Sequence, residues 1–537
     1  VVKSLNSVVR RLVAPVGLWT ATMLAPLYAT AEINAGEELL RNRCMGCHVP
    51  EQNEPLQLSR ISHQRKTPEG WLMSIARMQM VHGAQITSDE RRTLVKFLAD
   101  TQGLTPQESA PYRYILERRL NHIEDKQPQL AEMCARCHSE ARVGLQRRDA
   151  GEWEHLVNFH LGQWPSIEYS AMGRDRDWLG LALNEVVPFL DKNYGLQKDH
   201  WQQWLDSEKA SPIGEWRLVG SMPGRGDFHG VMKVIADGED RYRLNLTGKF
   251  ADGKSLRGKG QALVYSGYEW RADITLGKEK FQQVLAMNPQ GDRFEGRMFL
   301  KQQETLGVNL TASRADKPSL LAVSPAFIEA GKSQQISVRG TQLSGDVSLG
   351  PGIEVLKVLK RGKNEIRLKV RARKGLETQA LDVRVGEQNL AGGLRVYDRI
   401  DSLQVSPAYA VARVGDGGGS QEKVKAAFEA RAYGAGEDGV NGTADDIYIG
   451  TMPANWSLAP FDQQAIEDRD LDFVGKIDRR TGVFTPAAAG PNSKRKYGTN
   501  NAGRMSVIAS VGQGDNKQEA KAELIVTVQR WNNPPIR

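Results

Sequence analysis

All four cysteines of this 537-residue chain stand in two copies of one short pattern, Cys44, Cys47 and His48 in "RNRCMGCHV", and Cys134, Cys137 and His138 in "EMCARCHSE". C-x-x-C-H is the attachment signature of a c-type haem. Two thiols about one helical turn apart can add to the two vinyl groups of a single porphyrin. The histidine directly behind them then offers its imidazole to the iron from the proximal side, as a common axial ligand. Structural zinc needs a second Cys or His pair to close a tetrahedron, and two pairs sharing one zinc would leave both trailing histidines unexplained. A thioredoxin-like redox pair belongs in a βαβ context, and neither motif has one. The pattern predicts two covalently bound haem c groups and, with every thiol committed, no disulfide.

The opening "VVKSLNSVVRRLVAPVGLWTATMLAPLYATA" carries Lys3, Arg10 and Arg11, then an apolar run, then Ala29-Thr30-Ala31 as a small-x-small site. We read residues 1–31 as a secretory signal peptide, with the mature chain starting at Glu32. The run from Leu12 to Leu27 is interrupted by Pro15, Gly17, Thr20, Thr22 and Pro26 and is short for a membrane span. Arg10-Arg11 weakly resembles a twin-arginine signal. Covalent haem and an exported chain together point to the bacterial periplasm, with no membrane span after cleavage. The formal net charge is +8, with basic residues scattered along the chain. That describes a mildly basic soluble surface and not a nucleic-acid footprint.

The chain is too long for a single core. Residues 32–211 read as one α-helical dihaem cytochrome c domain of two class I-like halves, split near 105–125. "TPEGWLMSIARMQMVHG" and "TSDERRTLVKFLADTQG" each place apolar residues at helical spacing behind a threonine cap. A linking helix is expected around "YRYILERRLNHIED". The order then restarts: "AGEWEHLVNFHLGQW" aligns with "PEGWLMSIARMQM", setting Trp153 on Trp71, and "WLGLALNEVVPFLDKNYG" aligns with "RRTLVKFLADTQG". From 212 to 316 the period changes to two. Eight short strands, separated by turns such as "DGED", "ADGK" and "PQGD", predict an antiparallel up-and-down β-barrel. Residues 317–399 and 400–537 share a "VSPA" opening and read as two immunoglobulin-like β-sandwich domains. The second holds a long insertion whose acids, in 436–446, fit no EF-hand spacing and read as a solvated loop without excluding calcium.

Each iron needs a sixth ligand or an open position. Outside the motifs stand His63, His82, His122, His155, His160, His200 and His229. The repeat sets Met78 opposite His160, each seven residues and two helical turns after its tryptophan, hence on the same helix face. The first haem is then His48/Met78, with Met80 and His82 as alternatives. The second is His138/His160, with His155 and Met172 as alternatives. A thioether ligand raises the potential above that of a second imidazole, so the two haems would differ.

The whole chain after the leader resembles the α subunit of quinohemoprotein amine dehydrogenase, most closely in "YRYILERRLNHIE", "MCARCHSEARVGLQRR" and "FHLGQWPSIEYSAMGRDRDW". The resemblance implies a periplasmic heterotrimer that oxidises primary amines to aldehyde and ammonia. It implies a cysteine tryptophylquinone in a small γ subunit, beside a β-propeller β subunit. The α subunit would pass electrons from that quinone to an external acceptor such as a cytochrome c or a blue-copper protein. The same resemblance implies one bis-His and one His/Met haem, held here by Cys44, Cys47 and His48 and by Cys134, Cys137 and His138. With no free cysteine to build the quinone, no catalytic residue for amine oxidation is expected on this chain. Two other functions fit the motifs alone, an electron-transfer subunit of another periplasmic dehydrogenase (alcohol, sugar or sulfite) and a haem-based sensor or binding protein.

Overall fold

The computed structural model describes residues 25–51, 54–169, 174–417, 421–512 and 517–528. Most of the proposed leader, residues 1–24, lies outside the described residues, and so does Met172. A mostly helical unit carries both motifs and is followed by a closed eight-stranded barrel and two sheet domains. No helix among the described residues is long and apolar enough to cross a membrane.

In the first half, α1 (Ala25–Cys44) delivers the first motif at its C-terminal end. A short strand, β1 (Gln64–Lys66), leads into α2 (Pro68–His82). Thr67 caps α2 by accepting from the Gly70 N–H, and Pro68 stands in the first turn, where its missing donor costs nothing. Gly83 ends the helix in the left-handed region (φ 71°) and donates to the Met78 carbonyl. A capping box between Thr87 and Glu90 starts α3 (Ser88–Thr101), which buries Leu94 and Leu98 against Trp71 and Ile75.

The second half repeats this order with β2 (Gln146–Arg148), α4 (Ala150–Gln163) capped by Asp149, and α5 (Val187–Tyr194). The helix expected over "WLGLALNEVVPFLDKNYG" is a single turn at Trp178–Leu181, a π segment at Ala182–Val186, and then α5. Pro188 has no N–H to give a carbonyl one turn back, and the ladder widens ahead of it. The linking helix expected around "YRYILERRLNHIED" is corrected to a 3-10 turn, Ala110–Ile115, followed by turns. Arg118 adopts φ 54°, and the Tyr114 hydroxyl donates to Glu124 at 2.6 Å while its ring lies 4.0 Å from that of His122. Those contacts fold the segment back on itself.

The two halves meet through β1 and β2, which pair antiparallel: Gln64 with Arg148, Arg65 with Arg147, Lys66 with Gln146. The sequences there, "HQRKTPEGW" and "LQRRDAGEW", are equivalent in the repeat, so the pairing is symmetric about a local two-fold axis through Arg65 and Arg147, the equivalent residues that face each other.

The barrel comprises β3 (Gly214–Met222), β4 (Gly226–Ala236), β5 (Arg241–Phe250), β6 (Ser255–Tyr265), β7 (Glu269–Leu276), β8 (Glu279–Met287), β9 (Arg293–Leu300) and β10 (Gln303–Arg314). Each pairs antiparallel with the next, and β10 returns to β3, as the period-two reading expects. Trp216, Phe228, Trp270, Phe281 and Phe294 fill its interior. The turn from β6 to β7 is pressed into the helical unit. The Tyr268 hydroxyl meets Ser109 Oγ at 2.8 Å and donates to the Thr105 carbonyl, while Ser266 Oγ donates to the Ala99 carbonyl. Arg271 joins Glu69 of α2 to Glu269 of the barrel. Burial drives the Glu269 carboxyl up to about 7, against the pull of Arg271.

The third unit pairs two four-stranded sheets, and the fourth combines a four-stranded sheet with two three-stranded ones. After each "VSPA" opening, which carries a cis Ser–Pro bond, a short strand runs parallel to the unit's last strand. In the insertion, Asp438, Asp445 and Asp446 accept from loop N–H groups or from Thr443. No group of three metal-ligating side chains gathers among the described residues.

Candidate functional site: two haem-attachment motifs

The second motif sits on a 3-10 turn, Cys134–Arg136, after a short helix (Pro128–Glu132). Here the structure brings together residues that are distant in sequence. The His138 and His160 rings face each other with centroids 6.5 Å apart and planes at 36°. A metal held between two imidazoles at about 2.0–2.1 Å from each nitrogen keeps ring centroids roughly 6.3 Å apart. The residues therefore fit an iron between them. Each ring anchors its Nδ1, His138 to the Ser139 carbonyl at 2.9 Å and His160 to the Leu156 carbonyl at 2.7 Å, leaving both Nε2 atoms free. Burial, with Arg142 and His160 close by, holds His138 below the usual histidine range, so it stands neutral, the form that ligates. Trp178 closes the other side of His160 at 6.4 Å. His155, five residues before His160 on α4, is exposed.

Cys134, Cys137, His138, Trp153 and His160 line a cavity of about 2360 Å³ that runs on to the barrel wall at Tyr242 and Gln283. That is more than twice the upper range of an ordinary ligand pocket, about 1,000 Å³. Burial, then the neighbouring Cys137 thiol, pushes the Cys134 thiol up to about 11. Cys44 is raised to about 11 in the same way, by burial and then by Cys47. Such thiols stay protonated and are poor ligands for a bare metal ion.

The first motif closes α1. The Cys47 and His48 N–H groups both donate to the Cys44 carbonyl, and His48 Nδ1 lies 2.9 Å from the Ser59 carbonyl, so its Nε2 is also free. Cys44 and Met45 pack against the cluster of Leu40, Leu58, Trp71 and Ile75. Met78 is half-buried on α2, whereas Met80 and His82 are exposed. Neither Cys44, Cys47, His48 nor Met78 lines the large cavity. Arg176 is engaged with Glu132 and Asp175.

Sequence reasoning missed the wall of cations behind the second site. Lys66, Arg77, Arg142 and Arg148 all line the cavity. The signal was the repeated Q-R-basic triplet ahead of each helix cap, "QRK" and "QRR", which puts Lys66 and Arg148 at equivalent positions.

Fold and site together define a multidomain haem-binding protein. Family models cover nearly all of it: "Quinohemoprotein amine dehydrogenase A, alpha subunit, haem binding" over residues 34–201, and the α-subunit domains II, III and IV over 210–315, 317–398 and 403–536. The chain belongs to the family of quinohemoprotein amine dehydrogenase α subunits. A search among curated proteins finds no match. Similar solved structures include a de novo designed fluorescence-activating β-barrel (18% identity, 19% of this chain and 92% of that one, TM-score 0.17). Domains 5–6 of the S-layer protein SbsC match at 12% identity over 40% of this chain and 100% of that one, TM-score 0.16. The cadherin-like domains 1 to 4 of zebrafish RET match at 10% identity over 46% of this chain and 63% of that one, TM-score 0.18.

Proposed function

We propose that this chain is the dihaem electron-transfer subunit of a periplasmic amine dehydrogenase. One haem c is attached at Cys44 and Cys47 with His48 and Met78 as axial ligands, the other at Cys134 and Cys137 with His138 and His160. The observation that carries the reading is the pair of facing imidazoles, His138 and His160, directly behind a C-x-x-C. A haem held at each motif supplies reversible one-electron transfer, and unequal axial ligands set the two potentials apart. The chain's own residues fix that chemistry. Backbone carbonyls of Ser59, Ser139 and Leu156 orient the three imidazoles, and occupied axial positions keep small molecules from the metal.

All four cysteines are committed, so the amine-oxidising quinone, a cysteine tryptophylquinone, belongs to a partner subunit. We read that partner as a small γ subunit beside a β-propeller β subunit, with a cytochrome c or blue-copper protein as external acceptor. We read the two sheet domains that follow the barrel as immunoglobulin-like modules. The leader, residues 1–31, would direct the chain to the periplasm.

Two measurements test this. The denatured chain should retain the mass of two haems; one or none overturns the dihaem reading. A primary amine should reduce both haems in the purified native complex, while the isolated chain should turn over no amine with an artificial acceptor. Turnover by the isolated chain would overturn the assignment of catalysis to a partner.

A further inference from the structure

The cavity beside the second motif carries more positive charge than its surroundings neutralise. Lys66 is 6% exposed, and its Nζ donates to Ser74 Oγ at 2.6 Å; among the described residues it forms no ion pair. Arg77 lies over the Phe159 ring at 4.2 Å, and Arg142 lies near Met73 Sδ; neither forms an ion pair among the described residues. Arg148, buried, shares the single carboxylate of Glu152 with Arg60. Burial, then the neighbouring guanidinium of Arg148, pushes Lys66 well down, and burial likewise brings Arg148 down to about 10. A buried cation without a counter-charge is costly unless an anion meets it; Lys66 is such a cation, Arg77 is half-buried, and Arg142 is exposed.

A second, independent observation lies among them. Trp153 is 1% exposed, and its indole Nε1–H has no hydrogen-bond partner. Its equivalent in the repeat, Trp71, donates the same N–H to the Gln102 carbonyl at 2.9 Å. A buried donor left unmade costs about 1–3 kcal/mol. The fold satisfies it in one half and leaves it without a partner in the other, on a residue that lines the same cavity as His138 and His160.

We infer that Trp153, Arg148, Lys66 and Arg77 form a carboxylate cradle that receives the propionates of the second haem. The inference rests on the proposed His138/His160 axial pair. The cradle supplies an N–H donor and cationic groups to two carboxylates, and it lies between the two halves at the β1–β2 junction. A cationic shell disfavours the more positive, oxidised state of the iron, so it also raises the second haem's potential.

The test uses the holoprotein in its native complex, with three variants: Trp153→Phe, Lys66→Met and Arg77→Gln. Midpoint potentials are read by spectroelectrochemistry, and propionate bending modes by resonance Raman. Each variant should lower the potential of the second haem, leave the first unmoved, and shift a propionate mode. Trp71→Phe, whose N–H serves a backbone carbonyl, should shift no propionate mode. Arg77, half-buried on α2, keeps the test decisive should the Lys66 variant fail to fold. Unchanged potential and modes in Trp153→Phe and Arg77→Gln overturn the cradle while the dihaem reading stands. Equal shifts at both haems overturn it as well. A holoprotein whose second site lacks a bis-histidine spectrum overturns the reading beneath it, and the cradle with it.

Discussion

Arg65 and Arg147 stand directly opposite each other in the β1–β2 ladder, and both reach the same carboxylate, Glu108, at 2.7 and 3.2 Å. All three side chains are largely shielded from water. Two like charges can meet on a symmetry axis only with a counter-charge there, and Glu108 supplies it from outside the repeat.

Glu108→Gln should therefore destabilise the helical unit by about 3–5 kcal/mol, since it strands two buried guanidinium groups. Burial raises the Glu108 carboxyl, but bonds from Arg65 and the charges of Arg65 and Arg147 outweigh it and hold it below the usual range. Its contribution is thus complete above about pH 4.3, the unfolded value, and is lost as pH falls through the folded one. Denaturant melts of the two proteins at neutral and acid pH, converging as the acid limit is approached, check both statements.

His63 titrates in the opposite sense. It sits between Glu51 and Asp149, the cap of α4, with Nδ1 at 2.5 Å from Asp149. Burial lowers its pKa, but the two carboxylate bonds win and raise it. Its stabilising effect is full below about pH 6.5 and fades as pH rises through the raised folded value. The Tm difference between wild type and His63→Asn should be largest near about pH 5.5 and vanish in the alkaline range; a difference that grows with pH would contradict the ion pairs.

At the second motif, His160→Met should turn a bis-histidine spectrum into a His/Met one and raise that haem's potential. Met78→His should do the reverse at the first. Shifts of tens of millivolts or more are expected, against an axial-ligand range of roughly 0.8 V. His155→Ala should leave both spectra unchanged. Were His155 the residue whose loss altered the second haem, the repeat register placing Met78 opposite His160 would fail with it.

Tyr268→Ala removes a fully buried ring and its bonds to Ser109 and Thr105, and should cost about 3–5 kcal/mol. Because this ring ties the barrel to the helical unit, calorimetry should show one thermal transition splitting into two. Limited proteolysis should then cut between the end of the last helix, at Asp206, and Gly214.

The barrel was legible strand by strand because its signal is local: apolar residues alternate over each strand, and turns such as "PQGD" punctuate them. Helix starts in the first half were legible for the same reason, with Thr67 and Thr87 both serving as caps. The linking helix failed because its apolar residues, Tyr112, Ile115 and Leu116, pack onto Ala141 and Leu145 from turns and not from one helix face. The β1–β2 ladder was invisible as structure, since two three-residue strands 82 positions apart carry no periodicity. The repeat gave the candidate His160, but only packing could show that its ring faces His138.

The β1–β2 junction has the geometry of an isologous dimer interface, the same patch meeting itself across a two-fold axis. Two separate single-haem proteins using it would associate only as far as their concentration allowed. Joined in one chain, the halves meet at a fixed effective concentration, so the spacing of the two attachment sites is a property of the fold and does not vary with dilution. Fusion also frees the two sides from being identical. Trp71 can spend its indole N–H on Gln102 while Trp153 keeps its own open, and methionine can stand where the other half has His160. A true homodimer, bound to repeat every substitution twice, could not hold the two unlike axial pairs we propose.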